Sequence, residues 1–391
     1  MNTNINLLLC LAFIITSHLD LKFSSHIFLI WVIYNLYSMI KTKSFEAFKS
    51  YYTDNKLYVN SILAFFILPL VAVILHGFPM DEFKLWRSQF RGEMIGIIFP
   101  FLLLRNKISI KTILLSSIAV TNISVFYGYY EYFSTHAARL SSFITNNPNV
   151  YSTYLLIMFC VVVYAIYALP KYKLPFQFTL LNIFIALIVA NSRGCILLFF
   201  AGLVVFLTIK YRKNIKYLIA SVCILLVCFS GIMVFNSAFS NRIIKTVTNP
   251  KIDTERGIIY DTSMNIIKDY PLTGIGKGNL IHKYEQYNTH KAENNRVFYH
   301  THQIVLEMMV ESGILGLIAF LAFIIGQIKS FVSGYKHTVN ILSKYAAVMC
   351  LFITGLVFMY MQVENTYFAL RKIYWIYIGL GYYVMAYGEN K

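Results

Sequence analysis

His300 and His302 stand two residues apart in His300-Thr301-His302-Gln303, directly ahead of an apolar run that opens Ile304-Val305-Leu306-Glu307. Neutral imidazole titrates near working pH, so either histidine is suited to take a proton from a hydroxyl group. As a metal site the pair lacks a third ligand at a supporting spacing. The alternative to catalysis is an interfacial histidine that only hydrogen-bonds backbone. Arg193, in Asn191-Ser192-Arg193-Gly194, lies between two apolar runs, where a charge is costly unless it reaches an interface or a partner. It either snorkels or presents its planar fork to a lipid-linked phosphate. Arg256 offers a second cation, with a solvated surface role as its alternative. Arg139, in Ala138-Arg139-Leu140-Ser141-Ser142-Phe143 ahead of Asn147-Pro148-Asn149, is a third, in a loop that reads equally well as a packed turn. Glu307 and Glu311 are four residues apart and share a helix face. They fit pairing with an arginine, or steering of a histidine tautomer, better than a glycosidase acid and base, because two acids one turn apart would not flank a sugar. Gly274-Ile275-Gly276-Lys277-Gly278-Asn279 offers backbone N–H groups to a phosphate but lacks the Lys-Ser/Thr ending of a phosphate loop. A flexible turn that lets the chain double back is the plainer reading.

These residues have to be positioned by an unusual chain. Of 391 residues, 58% are hydrophobic and 13% charged, with a formal charge of +17. Soluble domains carry roughly 25% charged residues, so a soluble globular protein is excluded. The basic balance comes from scarce Asp and Glu rather than a basic domain or tail, which excludes an ordinary nucleic-acid binder. A spanning helix needs about 20 mostly apolar residues. Segments near 4–19, 24–40, 57–78, 87–104, 110–128, 150–169, 174–191, 194–209, 217–236, 304–328, 345–363 and 372–388 meet that test. The expectation is an all-α polytopic membrane protein of about twelve transmembrane helices. The fourth span is the least apolar, with Arg87, Arg91 and Glu93 in its first turns. The first lacks a preceding Lys or Arg and a small-x-small cleavage site, and is expected to stay as a helix.

Alternate short loops hold Lys41, Lys43, Lys49 and Lys56; Arg105, Lys107 and Lys111; Lys171 and Lys173; Lys210, Arg212, Lys213 and Lys216; and Lys329, Lys336 and Lys344. This set is expected to be cytoplasmic, with both termini, by the positive-inside bias. The opposite side then receives one polar insertion, residues 237–303, between helices one to nine (1–236) and helices ten to twelve (304–391). It carries Arg242, Arg256, Lys277, His282, Arg296, His300 and His302. Within it, Asp253 or Thr254 is placed to cap a helix ending at Pro271. A second outer loop, 129–149, is short. The six cysteines fall within or at the edge of apolar runs and read as small buried hydrophobes, not as a disulfide framework or a zinc site.

Taken in order, Arg256-x-x-x-Tyr260, Pro271-Leu272-Thr273-Gly274-Ile275-Gly276-x-Gly278, His300-x-His302 and Glu311-x-Gly313-Ile314-Leu315-Gly316 resemble the O-antigen ligase and polymerase superfamily of polytopic bacterial membrane glycosyltransferases. Asn147-Pro148-Asn149 and Ser192-Arg193-Gly194 look like that family too. Gln303 departs from the asparagine more often found there, but keeps an amide. The resemblance implies a GT-C-like helical membrane fold, with a large periplasmic loop, in the bacterial inner membrane. It also implies an undecaprenyl-diphosphate-linked glycan as donor and, for a ligase, the lipid A-core oligosaccharide as acceptor. The implied mechanism has Arg193, Arg256 and Arg139 on the diphosphate, and His302 as base with His300 beside it. Glu307, Glu311 and Tyr260 support them. It requires no nucleotide, cofactor or metal, inverts the anomeric centre, and involves membrane lipids but no nucleic acid. A single dominant outer loop looks more like a ligase than a polymerase, which extends one lipid-linked glycan with another. The rival class, a lipid-linked sugar flippase, would show repeated halves and broken helices with polar groups near the midplane, and neither stands out.

Overall fold

The structure, a computed structural model, describes residues 3–211, 214–248, 254–290 and 296–388. Those residues form sixteen α-helices and one short 3₁₀ turn, with no strand beyond an isolated bridge between Ser142 and Thr145. In chain order the helices are α1 (Thr3–His18), α2 (Ser24–Thr42), α3 (Glu46–Asp54), α4 (Lys56–Leu75), α5 (Met80–Asn106), α6 (Ile110–Ser134), α7 (Pro148–Ala168) and α8 (Lys173–Ala190). They continue with α9 (Arg193–Tyr211), α10 (Ile215–Phe235), α11 (Ser237–Thr248), α12 (Thr254–Asp269), α13 (Leu280–Tyr287), α14 (Ile304–His337), α15 (Ile341–Tyr360) and α16 (Tyr367–Gly388). Every apolar run expected to span coincides with one of these helices. Seven, α4, α6, α7, α8 with its preceding 3₁₀ turn, α10, α14 and α15, are long and apolar enough to cross a membrane. α1 and α9 are apolar but shorter, and α2, α5 and α16 are not among the seven.

The bundle is built by α4 along α14, α5 along α16, α16 against α15, and α7 between α8 and α15. α10 is peripheral and leaves Val227, Val234 and Phe235 exposed, a surface that hydrocarbon rather than water would cover. Several polar groups inside find protein partners, as a medium without water demands. His18 lies between the hydroxyls of Tyr154 (2.9 Å) and Tyr377 (2.6 Å). Glu93, fully buried on α5, accepts from Tyr367 Oη (2.5 Å) and Trp375 Nε1 (2.8 Å). Arg87 and Arg91 of the same helix stay exposed, so the charges of α5 divide between its buried and open faces. All six cysteines are free.

The insertion has a small core of its own. Ile259 and Ile266 of α12, Leu280 and Tyr284 of α13, Ile275, Phe298 and Val310 of α14 form a second apolar cluster. What holds this unit to the bundle is a break in α14. Gly313 adopts φ 59°, ψ −149°, a conformation essentially reserved for glycine. The helix therefore gives up part of its own ladder there and shares it with the segment that follows α12. Ile275 N donates to Val310 O (2.8 Å), Gly276 N to Glu311 O (3.1 Å) and Ile314 N to Pro271 O (2.9 Å). The backbones meet so closely that a Cβ on Gly313 would collide with Leu272 and Thr273, and one on Gly274 with Val310 and Glu311.

Gly313→Ala should therefore destabilise the fold by roughly 3 kcal/mol or more, through backbone strain of about 1–3 kcal/mol and a comparable overpacking cost. Gly257, on α12 with no neighbour within 4 Å of a built Cβ, is the control. Gly257→Ala should be neutral or stabilise by up to about 1 kcal/mol. Thermal unfolding of the detergent-solubilised variants separates the two; equal transitions would contradict the interlock.

Candidate active site

The stretch from Tyr299 to Gln303 links the insertion to α14, and its conformation is set from both sides. Thr301 is buried between the two histidines. Its backbone N–H (2.8 Å) and hydroxyl (3.0 Å) both donate to Glu307 Oε2, one turn into α14. Gln303 is the N-cap of α14: its Oε1 accepts from Leu306 N (2.6 Å) while its Nε2 donates to Gln362 Oε1 (3.0 Å). The longer amide thus caps one helix and reaches the end of another. Between these anchors His302 is held in the left-handed region at φ 58°, which costs about 1–2 kcal/mol for a side chain with a Cβ.

That turn aims His302 at the connection between α15 and α16. Its Nδ1 lies 3.0 Å from Glu364 Oε1, with both side chains largely buried (24% and 15% exposed). A carboxylate can only accept, so Nδ1 carries the proton and, in the neutral ring, Nε2 keeps a lone pair. His300 stands edge-on to His302, ring centroids 4.0 Å apart at 71°. Its Nδ1 is buried without a hydrogen-bond partner among the described residues. Burial, and then the neighbouring His302, push the His300 imidazole below its ordinary pKa, against the opposing pull of Glu364. Burial works to raise the Glu364 carboxyl, but the His302 hydrogen bond, the positive charge His302 and His300 carry when protonated, and Arg256 outweigh it and hold Glu364 below the usual carboxylate range. Arg256, in the first turn of α12, is therefore within electrostatic reach of the pair.

Glu364 is the residue that sequence reasoning missed. It is 62 positions from His302, so no local spacing announces it. The available signal was an acid in a short connection between two apolar runs. It also completes what the histidine pair lacked in sequence: His300, His302 and Glu364 offer three ligand atoms all within 4.8 Å of one another.

The other candidates are distributed as follows. Arg193 is the first residue of α9 and half-buried. Beside it, Ser192 Oγ meets Tyr360 Oη at 3.1 Å, and Gly194 admits the Tyr360 ring so closely that a Cβ would lie 2.8 Å from Cε2. Tyr360 ends α15, four residues before Glu364, so the Arg193 turn and the histidine turn are fixed to the two sides of one connection. Arg139 spends Nε on Ala190 O (3.0 Å) and Nη2 on Asn149 Oδ1 (2.8 Å), pinning to the end of α8 a connection that is only 135–147, since α6 runs on to Ser134 and α7 starts at Pro148. Asn147 caps α7, accepting from Asn149 N and Val150 N, with Pro148 at the first helical position.

Glu307 and Glu311 share a face but not a role. Glu311 takes Lys277 Nζ (2.8 Å) and Gly278 N (3.2 Å), so it fastens the glycine-rich turn. With Gly274 N on Tyr270 O and Ile275 N and Gly276 N on α14, the amides that could have cradled a phosphate are committed internally. Tyr260 packs, partly buried, on the second apolar cluster one turn from Arg256. Of the remaining insertion residues, Arg296 pairs with Glu255 (3.5 Å) at an exposed site and His282 is exposed. Asp253 and the side chain of Arg242 lie outside the described residues.

No curated protein matches this chain. Residues 178–321 match the family model described as O-antigen ligase. The stretch runs from the second turn of α8 past the Gly313 break and includes Arg193, Arg256, Tyr260, both histidines, Glu307 and Glu311. Arg139 and Glu364 fall outside it. Over this stretch the chain is similar to the O-antigen ligase family, and its many apolar helices are those of a multi-pass membrane protein.

Proposed function

We propose that the protein is an O-antigen ligase, moving a glycan from undecaprenyl diphosphate to the lipid A-core oligosaccharide at the periplasmic face of the bacterial inner membrane. The observation that carries the reading is the convergence of a carboxylate-fixed imidazole, His302 on Glu364, with the nearby guanidinium of Arg256. The Lys and Arg distribution supports placing both termini in the cytoplasm and this site on the other face.

In this reading Nε2 of His302 accepts the proton of the acceptor hydroxyl as its oxygen attacks the anomeric carbon. The C–O bond to the diphosphate breaks with its electron pair leaving on the phosphate oxygen. Arg256 and Arg193 bind the diphosphate and stabilise that growing charge, and Arg139 holds the loop beside them. Glu364 fixes the productive tautomer and stabilises the imidazolium that forms. A neutral His300 spares His302 a like charge at that moment. A single displacement inverts the anomeric centre. A positioned base supplies about 10²–10⁴ in rate, so arginine electrostatics and proximity provide much of the remainder. The single large insertion at 237–303 and the short, pinned 135–147 connection favour ligase over polymerase.

In proteoliposomes given the lipid-linked glycan and lipid A-core, His302→Ala should lower the transfer rate by about 10²–10⁴-fold. Undiminished transfer would refute the base assignment. In cells lacking the protein, a ligase predicts full-length lipid-linked chains accumulating while the core carries none. Core bearing a single repeat unit would mean a polymerase.

A further inference from the structure

The His300, His302 and Glu364 cluster has the composition and spacing of a transition-metal site as well as that of a base and its orienting acid. Three ligand atoms lie within 4.8 Å of one another, and one pair, His302 Nδ1 and Glu364 Oε1, is already at 3.0 Å. A tetrahedral zinc ion with bonds of about 2.0–2.1 Å sets its ligand atoms roughly 3.3 Å apart. Closing the remaining gap asks for up to about 1.5 Å of side-chain movement in residues that are only partly buried. His300 Nδ1, buried and without a partner among the described residues, is a lone pair or proton that no described protein group uses. Two imidazoles and one carboxylate select zinc-like ions over magnesium or calcium, which take oxygen ligands. Three protein ligands leave the fourth position for water.

We propose that His300, His302 and Glu364 form a binding site for a divalent ion of the zinc class, and that its occupancy switches off glycosyl transfer. The binding half stands on the geometry alone; the inhibition half rests on the function proposed above. Ligation through Nε2 of His302 consumes the lone pair that would accept the proton. Ligation through Nδ1 moves the remaining ring proton to Nε2, which then donates instead of accepting. Both modes also take Glu364 away from the imidazole. Arg256 tempers affinity by adding positive charge nearby, which suits a reversible site.

The test uses the full-length protein in detergent with Co²⁺ as the spectroscopic probe. Visible bands of four-coordinate cobalt should appear, disappear on adding Zn²⁺, and persist with excess Mg²⁺. His300→Ala and the near-isosteric Glu364→Gln should each weaken cobalt binding by at least about 10-fold. Bands unaffected by both substitutions, or no bands above those of aqueous cobalt, would overturn the site. In proteoliposomes Zn²⁺ should inhibit the wild type reversibly. In His300→Ala the Zn²⁺ concentration for half-inhibition, measured against that variant's own metal-free rate, should rise at least about 10-fold. Transfer that is abolished by a chelator and restored by Zn²⁺ would overturn the inhibitory role. A chelator-treated wild type that transfers no glycan, yet binds cobalt as described, would refute the function and leave the metal site standing.

Discussion

The site depends on a seam between two chain segments, Thr301 to Ile304 and Met361 to Glu364. Three hydrogen bonds close it: Ile304 N to Met361 O at 3.0 Å, Gln303 Nε2 to Gln362 Oε1 at 3.0 Å, and His302 Nδ1 to Glu364 Oε1 at 3.0 Å. Each bond serves a different level of structure. The first docks the start of α14 on the end of α15, the second uses the capping residue of α14 as a bridge, and the third sets a tautomer. A left-handed backbone at His302 is tolerable because these contacts, and the two bonds from Thr301 to Glu307, fix the turn on both sides.

The same economy governs the insertion. Near Gly313, α14 exchanges backbone hydrogen bonds with Pro271 to Gly276, which ties a small apolar core to the bundle without a long linker. Because α12 carries Arg256 in its first turn and ends beside this interlock, the break in α14 and the position of the cation proposed to bind the diphosphate are mechanically linked. Gly274 and Gly313 are there for approach of backbone to backbone, and Gly276 leaves room for the Glu82 carboxylate.

Much of this was legible in the sequence, and the remainder follows a simple pattern. Apolar runs of the right length became helices because a chain with so few charges has little else to do with them. The histidine pair, the Arg193 turn and the order of the glycine motifs were visible because each is local. Glu364 was not, since its partner is 62 residues away and joins it only when α15 packs between α14 and α16. The separate duties of Glu307 and Glu311 were equally hidden: a shared helix face says nothing about whether Thr301 or Lys277 waits above it. Arg139 could be read either way from sequence, and the structure places two of its donors on Ala190 O and Asn149 Oδ1.

The central claim is that Glu364 acts through His302, and a double-mutant cycle on glycosyl transfer tests it most directly. Rates are compared for His302→Gln, Glu364→Gln and the pair, with folding checked for each by thermal unfolding. If the carboxylate works by fixing the imidazole, the double variant should be no slower than His302→Gln alone, because groups acting as a unit are non-additive. Independent losses that multiply in the double variant would contradict the account.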